Sequence, residues 1–107
     1  MPQLEDFLNY AGIDYADDVV NANATRALNA ARRILLGSIG DDVEQYLPGD
    51  ERITELVLIY ASDLYSESGV SAKVSGSTRR LVFDMEQQLR LELATAKAAA
   101  AEEVAKA

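Results

Sequence analysis

The sequence predicts an all-α protein, a small bundle of three main helices with one or two short helices and a long loop before the last helix. Apolar residues recur at the spacing of an amphipathic helix in three separate stretches of the chain. Pro48 and most glycines fall between these stretches, where they end helices or form turns. The length of 107 residues, with 49% apolar and 26% charged residues, is that of one ordinary globular domain.

The first predicted element is a short helix over PQLEDFLNYAG. Pro2 suits the first helical position, and Glu5 and Asp6 lie where the helix dipole favours anions. Gly12 ends the element. Its apolar residues are Leu4, Phe7, Leu8 and Ala11, which share one face.

A long helix follows over VVNANATRALNAARRILLG, with Asp14 and Asp17 as candidate N-caps and Gly37 as the C-cap. Its apolar face consists of Val20, Ala24, Ala27, Leu28, Ala31, Ile34 and Leu35. Because the middle of this face is alanine, we expect a neighbouring helix to approach it closely.

The next stretch is a connector of one or two helical turns over residues 41–47. Pro48 and Gly49 then break the chain, and Asp50 caps a helix that runs to about Ser68. The inward-facing residues of the connector and this helix are Val43, Tyr46, Leu47, Ile53, Leu56, Val57, Tyr60, Ala61 and Leu64.

A Ser/Gly-rich stretch, ESGVSAKVSGST, precedes the last helix and is predicted to be an exposed loop or a loose hairpin. The last helix begins near Thr78. Its apolar stripe is Leu81, Val82, Met85, Leu89, Leu93 and Ala96. Residues 1–96 form the single predicted domain, and the alanine-rich tail over 97–107 either extends the last helix or frays.

The composition argues against several classes of protein. Without cysteine there are no disulfides and no thiolate sites, and without histidine the commonest general base and transition-metal ligand are missing. The net charge of −8 disfavours a protein that tracks nucleic-acid phosphates. No apolar run reaches the length of a membrane span, and the opening MPQLEDFLNY lacks the basic residues of a signal peptide. We therefore expect a protein made in the cytosol, without membrane contact.

Two acidic clusters are the candidates for a cation site. They are Asp14, Asp17 and Asp18 in DYADD, and Asp41, Asp42 and Glu44 in GDDVE. As a twelve-residue calcium loop the first cluster fails, because its sixth position is Val19 and its twelfth is Thr25. Helix capping explains both clusters better. The sequence thus predicts no catalytic residue, no metal site and no cofactor.

The predicted helices carry more apolar surface than one small core needs. The surplus residues are Leu58, Ile59, Tyr65, Phe83 and Leu91. The first three lie on second and third sides of the helix over ELVLIYASDLYSE, and the last two lie off the stripe of the last helix. Since few helices are available to cover so many sides, we predict that they form a subunit or portal interface, the first three meeting the last two of a neighbouring copy.

The Ser/Gly-rich stretch is the candidate docking segment, which would become ordered on contact with a partner. The candidate docking residues in this stretch and directly after it are Gly69, Lys73, Gly76, Arg79 and Arg80. The basic side chains could also touch DNA phosphate or an acidic neighbour. Solvated side chains that balance a very acidic chain are the simpler interpretation.

The order of these segments resembles the head–tail connector family of long-tailed bacteriophages, also described as head-completion or DNA-packaging adaptor proteins. The matching pieces are the opening LEDFLNYAGID, the alanine-rich helix, DERITELVLIYASDLYSE with its DLYSE ending, the Ser/Gly loop and RRLVFDMEQQLRLEL. They span roughly residues 4–93, and the alanine-rich tail lies outside them.

The resemblance implies a structural virion protein without catalysis or cofactor. Family members assemble as a ring below the portal protein, dodecameric in the virion, and link the DNA-filled head to the tail. The implied partners are therefore further copies of the chain, the portal protein, and tail or head-completion proteins. DNA would pass through the channel without specific binding. The implied location is the head–tail junction of the virion, and the host cytoplasm during assembly.

Two other functions fit the same residues. A small cytosolic regulator or adaptor of the antitoxin type would use the surplus surfaces in a closed two-fold homodimer. An enzyme that uses carboxylates and a divalent metal is the second alternative. Mass in solution separates a ring from a dimer, and a metal titration tests the enzyme.

Overall fold

The protein is all-α, as its sequence predicts. The computed structural model describes residues 1–66 and 76–106. The helices in these residues are α1 (Leu4–Tyr10), α2 (Asp18–Ile39), α3 (Val43–Tyr46), α4 (Glu51–Ser66) and α5 (Gly76–Lys106). Three are long and two are short, as predicted. Helix α5 starts two residues before the predicted Thr78 and continues through the alanine-rich tail.

Aspartate side chains begin two of the long helices, as predicted. The Oδ1 atom of Asp17 accepts a hydrogen bond of 2.8 Å from the backbone N–H of Val20 at the start of α2. The Oδ1 atom of Asp50 accepts one of 2.9 Å from the backbone N–H of Arg52 at the start of α4. Each bond satisfies a backbone donor that has no partner within its own helix. Asp14, the other predicted cap, lies exposed before α2 and does not take this role.

The core lies between α2 and α4, which make the most extensive helix–helix contact in the described chain. Small residues permit this approach, because Ala24, Ala27 and Ala31 of α2 are all buried. The core cluster consists of Phe7, Ala24, Leu28, Ala31, Leu35, Ile39, Val43, Ile53, Leu56, Val57, Leu58, Ala61, Leu89 and Leu93. Ile34 was predicted to be part of the buried face but is largely exposed, since it lies at the edge of that face.

Helix α2 ends at Ile39 with Gly40 as its C-cap, so the predicted C-cap at Gly37 is wrong. The additional turn carries Ile39 into the core cluster, and that burial outweighs the weak helix propensity of a glycine at position 37. The backbone N–H of Gly40 then donates to the carbonyl of Leu36 over 3.0 Å. With a φ of 150°, Gly40 has a backbone conformation that other residues rarely adopt.

Among the side chains of α5 that the structure describes, the buried ones lie in the middle of the helix. Leu89 and Leu93 are buried, and Val82 and Met85 are half-buried. Leu81, predicted to lie on the same stripe, is 60% exposed, so the prediction is wrong at this position. The helix has 31 residues and is about 46 Å long, whereas the molecule measures 54 × 30 × 18 Å. Only the central part of so long a helix meets the α2–α4 pair.

The two glycines near the end of α2 should respond in opposite ways to alanine. In Gly40→Ala the new Cβ would lie 2.7 Å from the Cδ2 atom of Leu93, in a strained backbone conformation. We expect a loss of about 2 kcal/mol or more in the free energy of unfolding, measured by urea titration. Gly37→Ala is the matched control, because the site is open and helical, and should gain about 0.5–1 kcal/mol. Equal effects at the two positions would contradict this account.

Candidate functional site

Helix α5 is held in place by a cluster of charges around Arg52, at the start of α4. The Nη2 atom of Arg52 lies 2.6 Å from Oδ2 of Asp50, and its Nε donates to Oδ1 of the same carboxylate over 3.0 Å. Its Nη1 atom donates to the carboxylate of Glu92 and, over 3.4 Å, to Oε1 of Gln88. One guanidinium therefore connects the N-terminus of α4 to two successive turns of α5.

These contacts shift the pKa values of all three charged groups. The hydrogen bonds from Arg52 lower the pKa of Asp50 and that of Glu92, and the same bonds raise the pKa of Arg52. Burial acts in the opposite direction on each group, but it is the weaker effect. The cluster is therefore fully ionised at neutral pH.

Two further polar ties join α5 to the other helices. The hydroxyl of Tyr60 donates to the carboxylate of Glu86, and burial together with this bond raises the pKa of Tyr60. Arg90, which pairs with Glu86 over 3.5 Å, donates from Nε to the carbonyl of Ser38 over 2.8 Å.

A fourth tie, closer to the C-terminal end of α5, is an ion pair between Nζ of Lys97 and Oδ2 of Asp42 at 2.9 Å. The hydrogen bond from Lys97 lowers the pKa of Asp42. Together with the buried Leu89 and Leu93, the ties fix which side of α5 faces inward.

The opposite side of α5 is exposed and largely apolar. Its apolar residues, which we call the outer surface of α5, are Phe83, Leu91, Ala94, Ala98, Ala101 and Ala105, and the polar residues of the same sector are Arg80 and the half-buried Gln87. At about 100° per residue they share a sector of about 80°, turned away from Leu89 and Leu93. Phe83 is 59% and Leu91 69% exposed, so the two largest side chains of this surface have little cover.

Two of the five predicted interface residues are exposed, and they are the two on α5, Phe83 and Leu91. Leu58 is 8% and Ile59 9% exposed in the single chain. The expectation that these two residues of α4 need a neighbouring subunit to cover them is therefore wrong. The reason is that α1, α2 and α5 all contact α4, so that one chain covers several of its sides.

Tyr65, the third predicted residue on α4, is half-buried. Its ring meets Phe7 of α1 edge to face, with the ring centroids 5.8 Å apart and the planes at 73°. This is a favoured aromatic arrangement. The short helix α1 thus covers part of Tyr65. The prediction considered only the three main helices and so did not include this contact.

The predicted docking segment is described only in part. Gly69 and Lys73 lie outside the described residues, and Gly76 is the first residue of α5. Arg79 and Arg80 follow in the first turns of that helix, exposed and without an ion pair to any described residue. The two arginines therefore lie on the last helix, as its predicted start near Thr78 implies.

The predicted role of the acidic clusters as helix caps is confirmed for the first cluster only, in which Asp17 caps α2. In the second, Asp42 precedes α3 without a side-chain cap and pairs with Lys97 instead. Within residues 1–66 and 76–106, no three acidic side chains come together as a possible metal site. In the same residues, no helix is both apolar enough and long enough to span a bilayer.

The structure also shows a groove that the sequence did not indicate. It lies between α2 and α4 and has a volume of about 240 Å³. Its lining residues are Asn23, Arg26, Ala27, Ala30, Leu64 and Tyr65. The groove arises where the small side chains of α2 face the larger side chains of α4. Such a depression depends on how two helices pack, so no pattern in one helix predicts it.

Comparison with protein-family models, with curated proteins and with solved structures finds no match for this chain. The likeness to head–tail connectors is therefore a prediction from the segments of the sequence alone. The function of the protein must therefore be inferred from the surfaces described above.

The charge cluster around Arg52 should make the attachment of α5 sensitive to acid. A carboxylate whose pKa is lowered by folding stabilises the folded state above its unfolded pKa, near 4, and this contribution disappears as the pH falls through the lowered value. We expect Arg52→Gln to lower the Tm by a few degrees at pH 7 and to flatten its decline below about pH 4. Thermal unfolding followed by circular dichroism at pH 2.5–8 measures both effects.

The control is Arg33→Gln, which removes the same charge from an exposed arginine without an ion pair to any described residue. It should leave the wild-type profile unchanged in shape. If the two variants gave the same profile, the cluster would have no particular role in holding α5.

Proposed function

We propose that the protein is a structural subunit of the head–tail connector of a long-tailed bacteriophage and acts by assembling with copies of itself. The observation that carries the proposal is the outer surface of α5. A long helix anchored on one side exposes Phe83 and Leu91 on the other. Large apolar side chains gathered on one exposed surface are typical of interaction sites.

A closed ring needs two different surfaces on each copy, since every subunit contacts one neighbour on each side. The outer surface of α5 is the first of these surfaces. The groove between α2 and α4 is the second surface, because it is partly apolar and includes Tyr65. Tyr65 is one of the residues that the sequence predicts to meet Phe83 and Leu91 of a neighbouring copy. In this arrangement Phe83 of one copy enters the groove of the next. Only part of the predicted pairing is kept, since Leu58 and Ile59 are already buried.

The acidity of the chain fits a DNA channel. With a net charge of −8, the subunit offers little attraction to phosphates. Phosphate contacts retain nucleic acid, so an acidic wall would let DNA pass without specific binding. The partners in this proposal are the portal protein above the ring and tail or head-completion proteins below it. The site of action is the head–tail junction.

A second candidate function is a small homodimeric regulator or adaptor. The observation that favours it is the location of the exposed Phe83 and Leu91 on one helix. A single surface can be self-complementary about a two-fold axis, whereas a ring needs the groove as well.

The connector proposal predicts closed rings in concentrated protein. Negative-stain electron microscopy should show rings, and mass photometry should give a species many times the chain mass of 11.6 kDa. Phe83→Ser should abolish the rings, because it removes the side chain that fills the neighbouring groove. Monomers and dimers alone at every concentration tested would contradict the connector proposal and favour the regulator.

The control for this variant is Leu81→Ser. Leu81 is equally exposed, at 60% against 59% for Phe83, but lies on a different side of α5. It should leave the rings intact. Rings lost in both variants would indicate that α5 matters for a reason other than its outer surface.

A further inference from the structure

We propose that α5 pairs with α5 of a second copy in an antiparallel arrangement, so that the free protein is a two-fold dimer. The pairing surface is the outer surface of α5 defined above. The dimer is inferred from this helix alone, and its regulatory consequence, given below, rests on the proposed connector function.

The spacing of the exposed residues suits a helix pair. Leu91, Ala94, Ala98, Ala101 and Ala105 follow one another at intervals of three, four, three and four residues. This repeat of 3.5 residues is the pattern by which two helices keep one seam in contact along their length. This run covers only the C-terminal half of α5, so in an antiparallel pair its alanines lie opposite Phe83 and Gln87 of the second copy, and the small side chains leave room for these larger ones.

The charges of α5 decide the direction of the pairing. Arg80 lies eleven residues before Leu91 and Glu102 eleven residues after it. Both are exposed, and neither forms an ion pair with another described residue. In an antiparallel pair centred near Leu91, each Arg80 lies within about a turn of Glu102 of the second copy. A parallel pair would place like charges together at both ends.

The helix dipole supports the same direction. Arg79 and Arg80 lie near the N-terminus of α5 and Glu102 and Glu103 near its C-terminus, so each pair opposes the dipole of its own helix. An antiparallel neighbour brings the C-terminal end of its helix beside the arginines and its N-terminal end beside the glutamates. Both unfavourable placements are then compensated.

The centre of the proposed contact is also the centre of the helix. Because α5 extends from Gly76 to Lys106, its midpoint is residue 91. Two copies joined about this point overlap over the whole helix, about 46 Å. Leu91, the most exposed leucine of the described chain, then lies close to the two-fold axis and contacts its own counterpart.

The dimer has a consequence if the connector function is correct. The outer surface of α5 cannot contact a second α5 and the groove of a ring neighbour at the same time. The dimer therefore competes with the ring at low concentration. The ring replaces it when the concentration rises or when a partner such as the portal protein gathers the subunits, so assembly is delayed until the head vertex is available.

Sedimentation equilibrium on the full chain tests the dimer. Wild-type protein should shift from 11.6 kDa to twice that mass as its concentration rises. Leu91→Asp, which places a charge at the centre of the contact, should weaken the dimer on the order of tenfold to a hundredfold. Leu81→Asp, at a similarly exposed leucine on another side of α5, should leave it unchanged. A wild-type chain that stays monomeric, or a dimer unaffected by Leu91→Asp, would overturn the proposal.

A charge exchange tests the contact between the two ends. Arg80→Glu and Glu102→Arg should each weaken the dimer about fivefold, because each places like charges beside each other. The double variant should restore the wild-type affinity, since the two charges have changed places. No recovery in the double variant would overturn the pairing of these residues.

The direction can be measured with spin labels, because the chain has no cysteine of its own. Labels at Leu91→Cys should lie close together in the dimer. Labels at Glu103→Cys should lie about 36 Å apart, since each is twelve residues from the centre. A short distance at position 103 would mean a parallel pair and would overturn the antiparallel model.

The failure of this inference and the failure of the connector proposal are distinguishable. Dimers with the expected label distances, but no rings at high concentration, would retain the dimer and remove the connector. Rings formed directly from monomers, with no dimer at any intermediate concentration, would retain the connector and remove the dimer.

Discussion

The attachment of α5 through its middle is the constraint on which the rest of the molecule depends. Helices α2 and α4 bury their own apolar faces against each other, with α1 against one side of the pair. Of its described side chains, helix α5 adds Leu89 and Leu93 alone to the buried core, so charged contacts at Arg52, Arg90 and Lys97 have to determine its orientation. Because an ion pair needs a defined geometry while apolar contact does not, these ties select one side of α5 for the core and leave the other side open.

The sequence predicted the helices well and their surroundings less well. Apolar spacing located every helix, and short polar side chains located the starts of α2 and α4, because both signals are local to one segment. The end of α2 was misplaced, since Gly37 resembles a C-cap in isolation and only the burial of Ile39 shows that the helix continues. Gly40 is required by Leu93, more than fifty residues away, and no local pattern contains that information.

The same distinction explains the predicted interface. The spacing correctly showed that Leu58, Ile59, Phe83 and Leu91 lie off the main stripes of their helices. The spacing could not show which of these side chains are buried within a single chain, because their burial depends on how many helices contact α4. Helix α4 is central and has three neighbours, so its extra sides are buried, whereas α5 is peripheral and its extra side is exposed. Surplus apolar residues thus indicate an interface only on a helix at the edge of the bundle.

The composition of the outer surface of α5 suits contacts that form and separate again. Alanine side chains remove little apolar area from water, so most of the hydrophobic gain on pairing would come from Leu91 and Phe83. The ion pairs at the two ends are exposed, and such pairs contribute little free energy although they discriminate between directions of approach. The result is a contact with a definite geometry and a modest strength. A subunit that must remain available for a larger assembly needs this combination, since a tightly packed leucine seam would make the first partner permanent.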